Sequence, residues 1–176
     1  MIIYFLRHAS AGEPLSNPKK DEKRALDKDG IQQCGYIGRA LVALETQIDC
    51  ILTSPLKRCT QTASLVGNEI GHEGKLHLEA ALRPEGTFSD FRRMLEKYAR
   101  QDAVLVVGHN PNLSQFLGIT AGGPEADAAF ELKKGAVARV DLRRGGGTVQ
   151  WCLTPRILRV LHETAVESSR PKTSRK

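Results

Sequence analysis

The chain opens with a short apolar run that stops abruptly at an arginine and a histidine. Residues 2–6 are five consecutive apolar or β-favouring residues. They lack the alternation of a half-exposed strand, so both faces of this strand are expected to be covered, as in a parallel sheet. Ligands of open parallel sheets bind at the carboxyl ends of the strands, and Arg7 and His8 follow directly. The pair is therefore predicted to lie at a binding site, although a surface salt bridge beside a loop histidine would also fit this segment alone.

Buried strands and amphipathic helices alternate along the rest of the chain. Further strands are predicted at 48–53, 75–78 and 103–107, and a hairpin at 136–142 and 148–153. Helices are predicted at 29–46, 55–70, 88–100, 112–120 and 155–167. Residues 9–28 are expected to form a long polar loop. This alternation predicts an α/β fold in which a mainly parallel central sheet is flanked by helices on both faces.

The length of 176 residues fits a single domain. The net charge is +6, but four cations and no acid follow Glu167, which leaves +2 for residues 1–168. Serine and proline surround these cations, and such a segment cannot build a core. We therefore expect a domain at residues 1–164 and a basic, disordered tail at 165–176.

Several classes of protein are excluded by composition and spacing. No apolar run approaches the ~20 residues of a membrane span, and Met1 enters a strand directly, which predicts a cytoplasmic protein without membrane contact. Aromatic residues make up only 5% of the chain, so the basic charge is not taken as a nucleic-acid site. Cys34, Cys50, Cys59 and Cys152 have neither metal-ligand nor disulfide-framework spacing. No metal and no cofactor are expected.

Cationic or imidazole side chains follow three of the predicted strands. Arg7 and His8 follow the first strand, Arg58 stands near the start of the helix after the second, and His109 ends the strand at 103–107. Guanidinium forks match phosphoryl oxygens, and helix N-termini add oriented N–H groups. Phosphate is therefore the expected ligand. Because the sequence contains neither a metal motif nor a P-loop, an imidazole is the available nucleophile.

These segments resemble the histidine phosphatase superfamily, also called the phosphoglycerate mutase-like fold. The resemblance rests on Leu6–Ala9, Ser54–Ala63 and Val107–Pro111, quoted as Leu-Arg-His-Ala, Ser-Pro-Leu-Lys-Arg-Cys-Thr-Gln-Thr-Ala and Val-Gly-His-Asn-Pro. The short chain and the segment Arg24–Gly30 are similar to the SixA-type phosphohistidine phosphatases of that family. The resemblance covers about residues 1–164.

The resemblance implies a metal-independent phosphatase that works through a covalent phosphohistidine. It implies that His8 is the nucleophile and that Arg7, Arg58 and His109 form the phosphate pocket, with Arg24 as a fourth contact. A nucleophilic imidazole must be neutral, and the neighbouring guanidiniums are expected to lower its pKa below ~6.5. The implied partner is a phosphorylated signalling or phosphotransfer protein, and the product is inorganic phosphate.

The chain departs from the wider family pattern directly after His8. Ala9-Ser10 follows where many members have Gly-Glu, so the general acid is not identified, and Glu13 and Glu85 are the candidates. An alkyl phosphoester needs a proton for its alkoxide leaving group, whereas the imidazole of phosphohistidine leaves more readily. A protein phosphohistidine is thus the expected substrate. A small-molecule phosphomonoesterase and a non-catalytic phosphate-binding module remain alternatives.

Overall fold

The computed structural model describes residues 1–168 of the chain. The tail expected from residue 165 therefore lies mostly outside the described residues, and residues 165–168 belong to the last helix. No helix in the described part is both long and apolar enough to cross a bilayer.

In the described part of the chain, a single six-stranded mixed sheet forms the centre, which confirms the predicted α/β class. Its order is β3-β2-β4-β1-β5-β6. The first four strands in this order are parallel to one another, whereas β5 and β6 run antiparallel as a hairpin at one edge. The strands are β1 Ile2–Arg7, β2 Cys50–Thr53, β3 Leu76–Leu78, β4 Ala103–Gly108, β5 Val137–Arg143 and β6 Gly146–Leu153.

Within residues 1–168, six α-helices connect or flank the strands. They are α1 Pro18–Glu22, α2 Lys28–Ala43, α3 Lys57–Glu69, α4 Phe88–Lys97, α5 Asn112–Gly122 and α6 Pro155–Ser168. Short 3₁₀ turns lie at Ala80–Leu82 and Pro124–Ala126. Helix α1 corrects the expectation of a continuous loop at 9–28. It has five residues, none of them buried, so it carries no apolar periodicity, and its start is marked only by the cap Asn17 before Pro18.

Each face of the sheet carries its own apolar layer. Alternate residues of a strand point to opposite faces, so Tyr4 and Leu6 pack with α2 and α3, whereas Ile3 and Phe5 pack with α4 and α5. Burial on both faces explains why the sequence of β1 does not alternate.

The register of β1 and β4 places the two motif histidines side by side. The strands are parallel, and Arg7 pairs with Gly108. The backbone N–H of His8 donates to the carbonyl of Gly108 at 3.1 Å, one residue before His109. Segments distant in sequence therefore meet at the carboxyl edge of the sheet, where the sequence predicted a site.

Candidate active site

The structure brings together four of the side chains that the sequence singled out. The ring centroids of His8 and His109 are 5.1 Å apart, and the two rings are tilted by 57°. His8 and His109 are 6% and 3% exposed, and Arg58 is 5% exposed. Arg7, the fourth, is half-buried at the end of β1.

A backbone carbonyl determines which nitrogen of His8 carries the proton. Nδ1 lies 2.8 Å from the carbonyl oxygen of Ala9, which can only accept, so Nδ1 is the N–H of the neutral ring. The lone pair is thereby on Nε2, and no hydrogen bond among the described residues occupies it. His8 therefore has the form that a nucleophilic imidazole requires.

Burial lowers the pKa of His8 to about 3, with smaller contributions from the charges of Arg58, Arg7 and Arg24. The hydrogen bond to Ala9 acts in the opposite direction. The guanidiniums lower the pKa of His8 as the sequence analysis expected, but desolvation has the larger effect. Either way, His8 is neutral throughout the physiological pH range.

Two polar side chains of α3 hold the segment that follows His8. The hydroxyl of Thr62 donates to the carbonyl of Arg58 at 2.7 Å and accepts the backbone N–H of Ala9 at 3.1 Å. The amide oxygen of Gln61 accepts the N–H of Leu26 at 2.9 Å. The Gln-Thr pair of the second motif thus connects the helix that carries Arg58 to the loop that carries His8.

The cap of α2 organises the same loop from the other side. The carboxylate of Asp27 accepts hydrogen bonds from the hydroxyl of Ser10 at 2.7 Å and from the N–H groups of Gly12 and Gly30 at 2.8 and 2.7 Å. A Cβ on Gly30 would lie 2.0 Å from the carbonyl oxygen of Ser10, so only glycine allows this approach. The aspartate and the glycine of the segment Arg24–Gly30 therefore position the loop after His8.

Each of the two pocket arginines is anchored through one nitrogen and keeps another unpaired. Nη1 of Arg7 donates to the carbonyl of Leu132 at 2.8 Å, and Nη1 of Arg58 donates to the carbonyl and carboxylate oxygens of Asp21 at 3.0 and 3.2 Å. Nε of each arginine is buried and has no hydrogen-bond partner. An unsatisfied buried donor typically costs about 1–3 kcal/mol, and an oxyanion is the kind of acceptor that a guanidinium N–H binds well.

Two side chains to which the sequence analysis gave no role contact the ring of His109. Its Nε2 lies 2.9 Å from the hydroxyl of Ser54 and 3.3 Å from the sulfur of Cys59. Burial raises the pKa of the Cys59 thiol to about 12, so this group stays protonated and can donate. Burial, followed by the nearby His8 and Arg58, lowers the pKa of His109 to about 2. A proton on Nδ1 of this neutral ring lets the hydroxyl and the thiol donate to Nε2.

Arg24 is linked to the pocket residue Arg58 by Asp21, a residue that the sequence analysis did not identify. Its Nε donates to the carboxylate of Asp21 at 2.7 Å, and Nη1 donates to the carbonyls of Ala11 and Gly12 at 2.7 and 3.0 Å. The other carboxylate oxygen of Asp21 contacts Arg58. Asp21 thus joins the two arginines, but it stands in a run of alternating charges that gave no signal of this role.

Neither candidate for the general acid contacts the two histidines. Glu13 is exposed, and Glu85 is an exposed partner of Arg83 at 3.4 Å. Asp21 is nearer, but its hydrogen bond from Arg24 is the main cause that lowers its pKa to about 2. Asp21 is therefore ionised at neutral pH and has no proton to donate.

The two buried neutral histidines should make the protein sensitive to mild acid. Their pKa values lie below the ordinary 6.5, so between pH 6.5 and about 3 the unfolded chain binds more protons than the folded one. The free energy of unfolding should then fall as the pH decreases through this window, by up to about 1.4 kcal/mol per pH unit for each histidine.

Urea unfolding of the wild type and of His8→Gln and His109→Gln between pH 4.5 and 6.5 tests this expectation. Each substitution should flatten the pH dependence, whereas His77→Gln, at an exposed position of β3, should not. Equal slopes in all four proteins would contradict the assignment of buried neutral rings.

The sequence matches a known protein family and two known proteins. The model of the histidine phosphatase superfamily (branch 1) matches residues 3–91, which include Arg7, His8 and Arg58 but end before His109. An uncharacterized protein of Picosynechococcus sp. is 33% identical over 153 residues, covering 85% of this chain and 89% of the relative. Phosphohistidine phosphatase SixA of Escherichia coli is 25% identical over 158 residues, covering 88% of this chain and 94% of that protein.

A solved structure shows the same fold. The protein histidine phosphatase SixA complexed with tungstate superposes with a TM-score of 0.79 at 23% identity. The match covers 90% of this chain and 99% of that one.

Proposed function

The chain belongs to the histidine phosphatase superfamily, and from this premise we propose that it hydrolyses protein phosphohistidine through a covalent intermediate on His8. The observation that carries the proposal is the unprotonated Nε2 of His8 near the guanidiniums of Arg7 and Arg58, whose buried Nε groups have no hydrogen-bond partner. A nucleophile and an oxyanion site thus occupy one pocket.

In the first step, the lone pair of Nε2 of His8 attacks phosphorus and forms a P–N bond while the P–N bond to the substrate imidazole breaks. The substrate ring takes a proton from solvent on its other nitrogen and leaves neutral. Arg7 and Arg58 hold the phosphoryl oxygens through their Nε groups, with Arg24 as a further contact, and neutral His109 donates from Nδ1. In the second step, water attacks the phosphohistidine, the P–N bond breaks, and inorganic phosphate leaves as H2PO4−, which carries both hydrogens of the water. Nε2 of His8 then has its lone pair again.

Among the described residues, none of the candidate carboxyl groups is a proton donor beside the histidines, which favours phosphohistidine as the substrate. The imidazole of a substrate phosphohistidine leaves as a neutral ring once it has taken a proton, whereas an alkoxide leaving group needs a positioned acid. Asp21 is ionised, and Glu13 and Glu85 make no contact with the histidines. These observations support phosphohistidine over the phosphoesters of a small-molecule phosphomonoesterase.

We further propose that the catalytic domain predicted at residues 1–164 extends to the end of α6, that the chain beyond α6 is a basic tail, and that the enzyme acts in the cytoplasm without a metal or cofactor. Within the described residues, no group of three or more His, Cys, Asp or Glu side chains is arranged to hold a metal ion. The four cysteines form no disulfide bond with one another, which fits a reducing compartment.

A substrate panel and a trapping experiment test the proposal together. With excess chelator present, the enzyme should hydrolyse a histidine-phosphorylated protein at least about 100-fold faster, by kcat/KM, than sugar phosphates. Rapid quenching in base should trap labelled phosphate on the chain, with the label at His8. Equal rates on both substrate classes would favour a general phosphomonoesterase, a chelator-sensitive activity would refute metal independence, and the absence of turnover and label would indicate a binding module.

A further inference from the structure

A second concavity adjoins the active site. It has a volume of about 290 Å³ and lies between the end of α1, the start of α3 and the segment before α4. Its walls include Glu22, Lys23, Leu56, Lys57, Thr60 and Arg83. We call it the basic cleft. Lys57 in its wall directly precedes the pocket residue Arg58 at the start of α3.

Positive charge exceeds negative charge in the basic cleft. Its charged side chains are three cations, Lys23, Lys57 and Arg83, and one acid, Glu22. Glu22 is paired with Arg83, which also contacts Glu85 outside the cleft. Lys23 and Lys57 are exposed and form no ion pair among the described residues. The cleft therefore offers two unpaired ammonium groups and an arginine that can exchange one carboxylate for another.

Arg83 connects the basic cleft to the catalytic pocket. Its charge makes a small contribution to the lowered pKa of His109, so the guanidinium lies within electrostatic range of that ring. Lys23 and Lys57 directly precede the pocket arginines Arg24 and Arg58 in the chain. The cations of the cleft therefore lie where they can bind groups of the substrate that are next to its phosphoryl group.

We propose that the basic cleft binds a carboxylate side chain next to the phosphohistidine of the protein substrate, an inference that rests on the proposed function. An acidic residue of the substrate replaces Glu22 as a partner of Arg83 and pairs with Lys23 and Lys57. The wall contains no aromatic side chain on which a base could stack, which argues against single-stranded nucleic acid. Lysines act as point charges and suit a mobile carboxylate on a protein surface.

Two synthetic peptides of equal length test this inference, one with aspartates flanking the phosphohistidine and one with asparagines. The wild type should hydrolyse the aspartate peptide about tenfold better, by kcat/KM, and added salt should reduce this preference. The double variant Lys23→Glu/Lys57→Glu should lose the preference or reverse it. Its turnover of the asparagine peptide should fall much less than its turnover of the aspartate peptide.

A matched control makes the same change of net charge at the amino ends of the strands, whereas the cleft lies near their carboxyl ends. Lys75 precedes β3 and Arg100 precedes β4, both are exposed, and neither forms an ion pair among the described residues. Lys75→Glu/Arg100→Glu should keep the preference, and thermal unfolding should show that both double variants are folded.

The outcomes separate the two proposals. The proposed role of the basic cleft is wrong if the wild type hydrolyses both peptides equally, or if the preference survives in Lys23→Glu/Lys57→Glu. Neither result contradicts the proposed function. A preference lost equally in the control variant also overturns the cleft, because net charge alone would explain it. Hydrolysis of neither peptide by the wild type overturns the proposed function and this inference with it.

Discussion

Replacing His8 with alanine should lower turnover of a histidine-phosphorylated protein by about 10⁴-fold or more, the scale seen when a covalent nucleophile is removed. The remaining groups can still bind phosphate, but Nε2 is the only unprotonated nitrogen of the pocket that is free of hydrogen bonds among the described residues. The variant should also fail to acquire label when it is quenched during turnover. Stopped assays with a labelled phosphoprotein measure both quantities.

The His8→Ala protein should remain folded. The side chain follows the last residue of β1, and its loss removes one hydrogen bond, to Ala9, which is worth about 1 kcal/mol. His77→Ala is the matched control, because this imidazole lies on the exposed edge strand β3 against Tyr98. It should retain full activity. Turnover by His8→Ala above about 1% of the wild-type rate would show that another group is the nucleophile.

Replacing Arg58 with alanine should reduce kcat/KM by about 100-fold or more. Removal of a single oxyanion donor costs roughly 3 kcal/mol, and this side chain supplies both charge and the buried Nε donor. Arg58→Lys should restore only part of the loss. A single ammonium cannot bind both oxygens of Asp21 and also donate to phosphate from the position of Nε.

Steady-state kinetics and inhibition by inorganic phosphate measure this effect. Both kcat/KM and the affinity for phosphate should fall in Arg58→Ala. Arg93→Ala provides the control, because Arg93 is exposed and paired only with Asp90 on α4. If Arg58→Ala keeps kcat/KM within about threefold of the wild type, then Arg58 does not hold the phosphoryl group, and its bonds to Asp21 have only a structural role.

Most secondary structure was predictable because it depends on local patterns. The strands at β1, β2 and β4 are apolar runs of four to six residues, and the helices have regular apolar spacing. Helix α1 was missed because five exposed residues carry no periodicity. The strand order was not predictable in detail. It depends on which apolar faces pack together, and β4 lies between β1 and β2 although β3 comes before it in sequence.

Some residues of the candidate site were likewise predictable from the sequence, and others were not. The residue types that carry chemistry stand in motifs at strand ends, so Arg7, His8, Arg58 and His109 could be named from the sequence. Asp21 could not, because nothing in a run of mixed charges distinguishes the one carboxylate that reaches Arg58. Ser54 and Thr62 lie inside a quoted motif, but their contacts run to distant segments.

The sequence by itself determined which groups are available: two imidazoles, several guanidiniums and apolar strands that end beside them. Only the tertiary structure decided their chemical state, because that state depends on neighbours that are far away along the chain. The pairing of β1 with β4 places His8 against His109, and burial of both rings lowers their pKa values far more than a strand-end position alone would indicate. The proton on Nδ1 of His8 follows from the position of one carbonyl oxygen, which the fold sets through Thr62 of α3. Residue types are a local property, whereas desolvation and hydrogen-bond geometry arise only when the strands and helices have assembled.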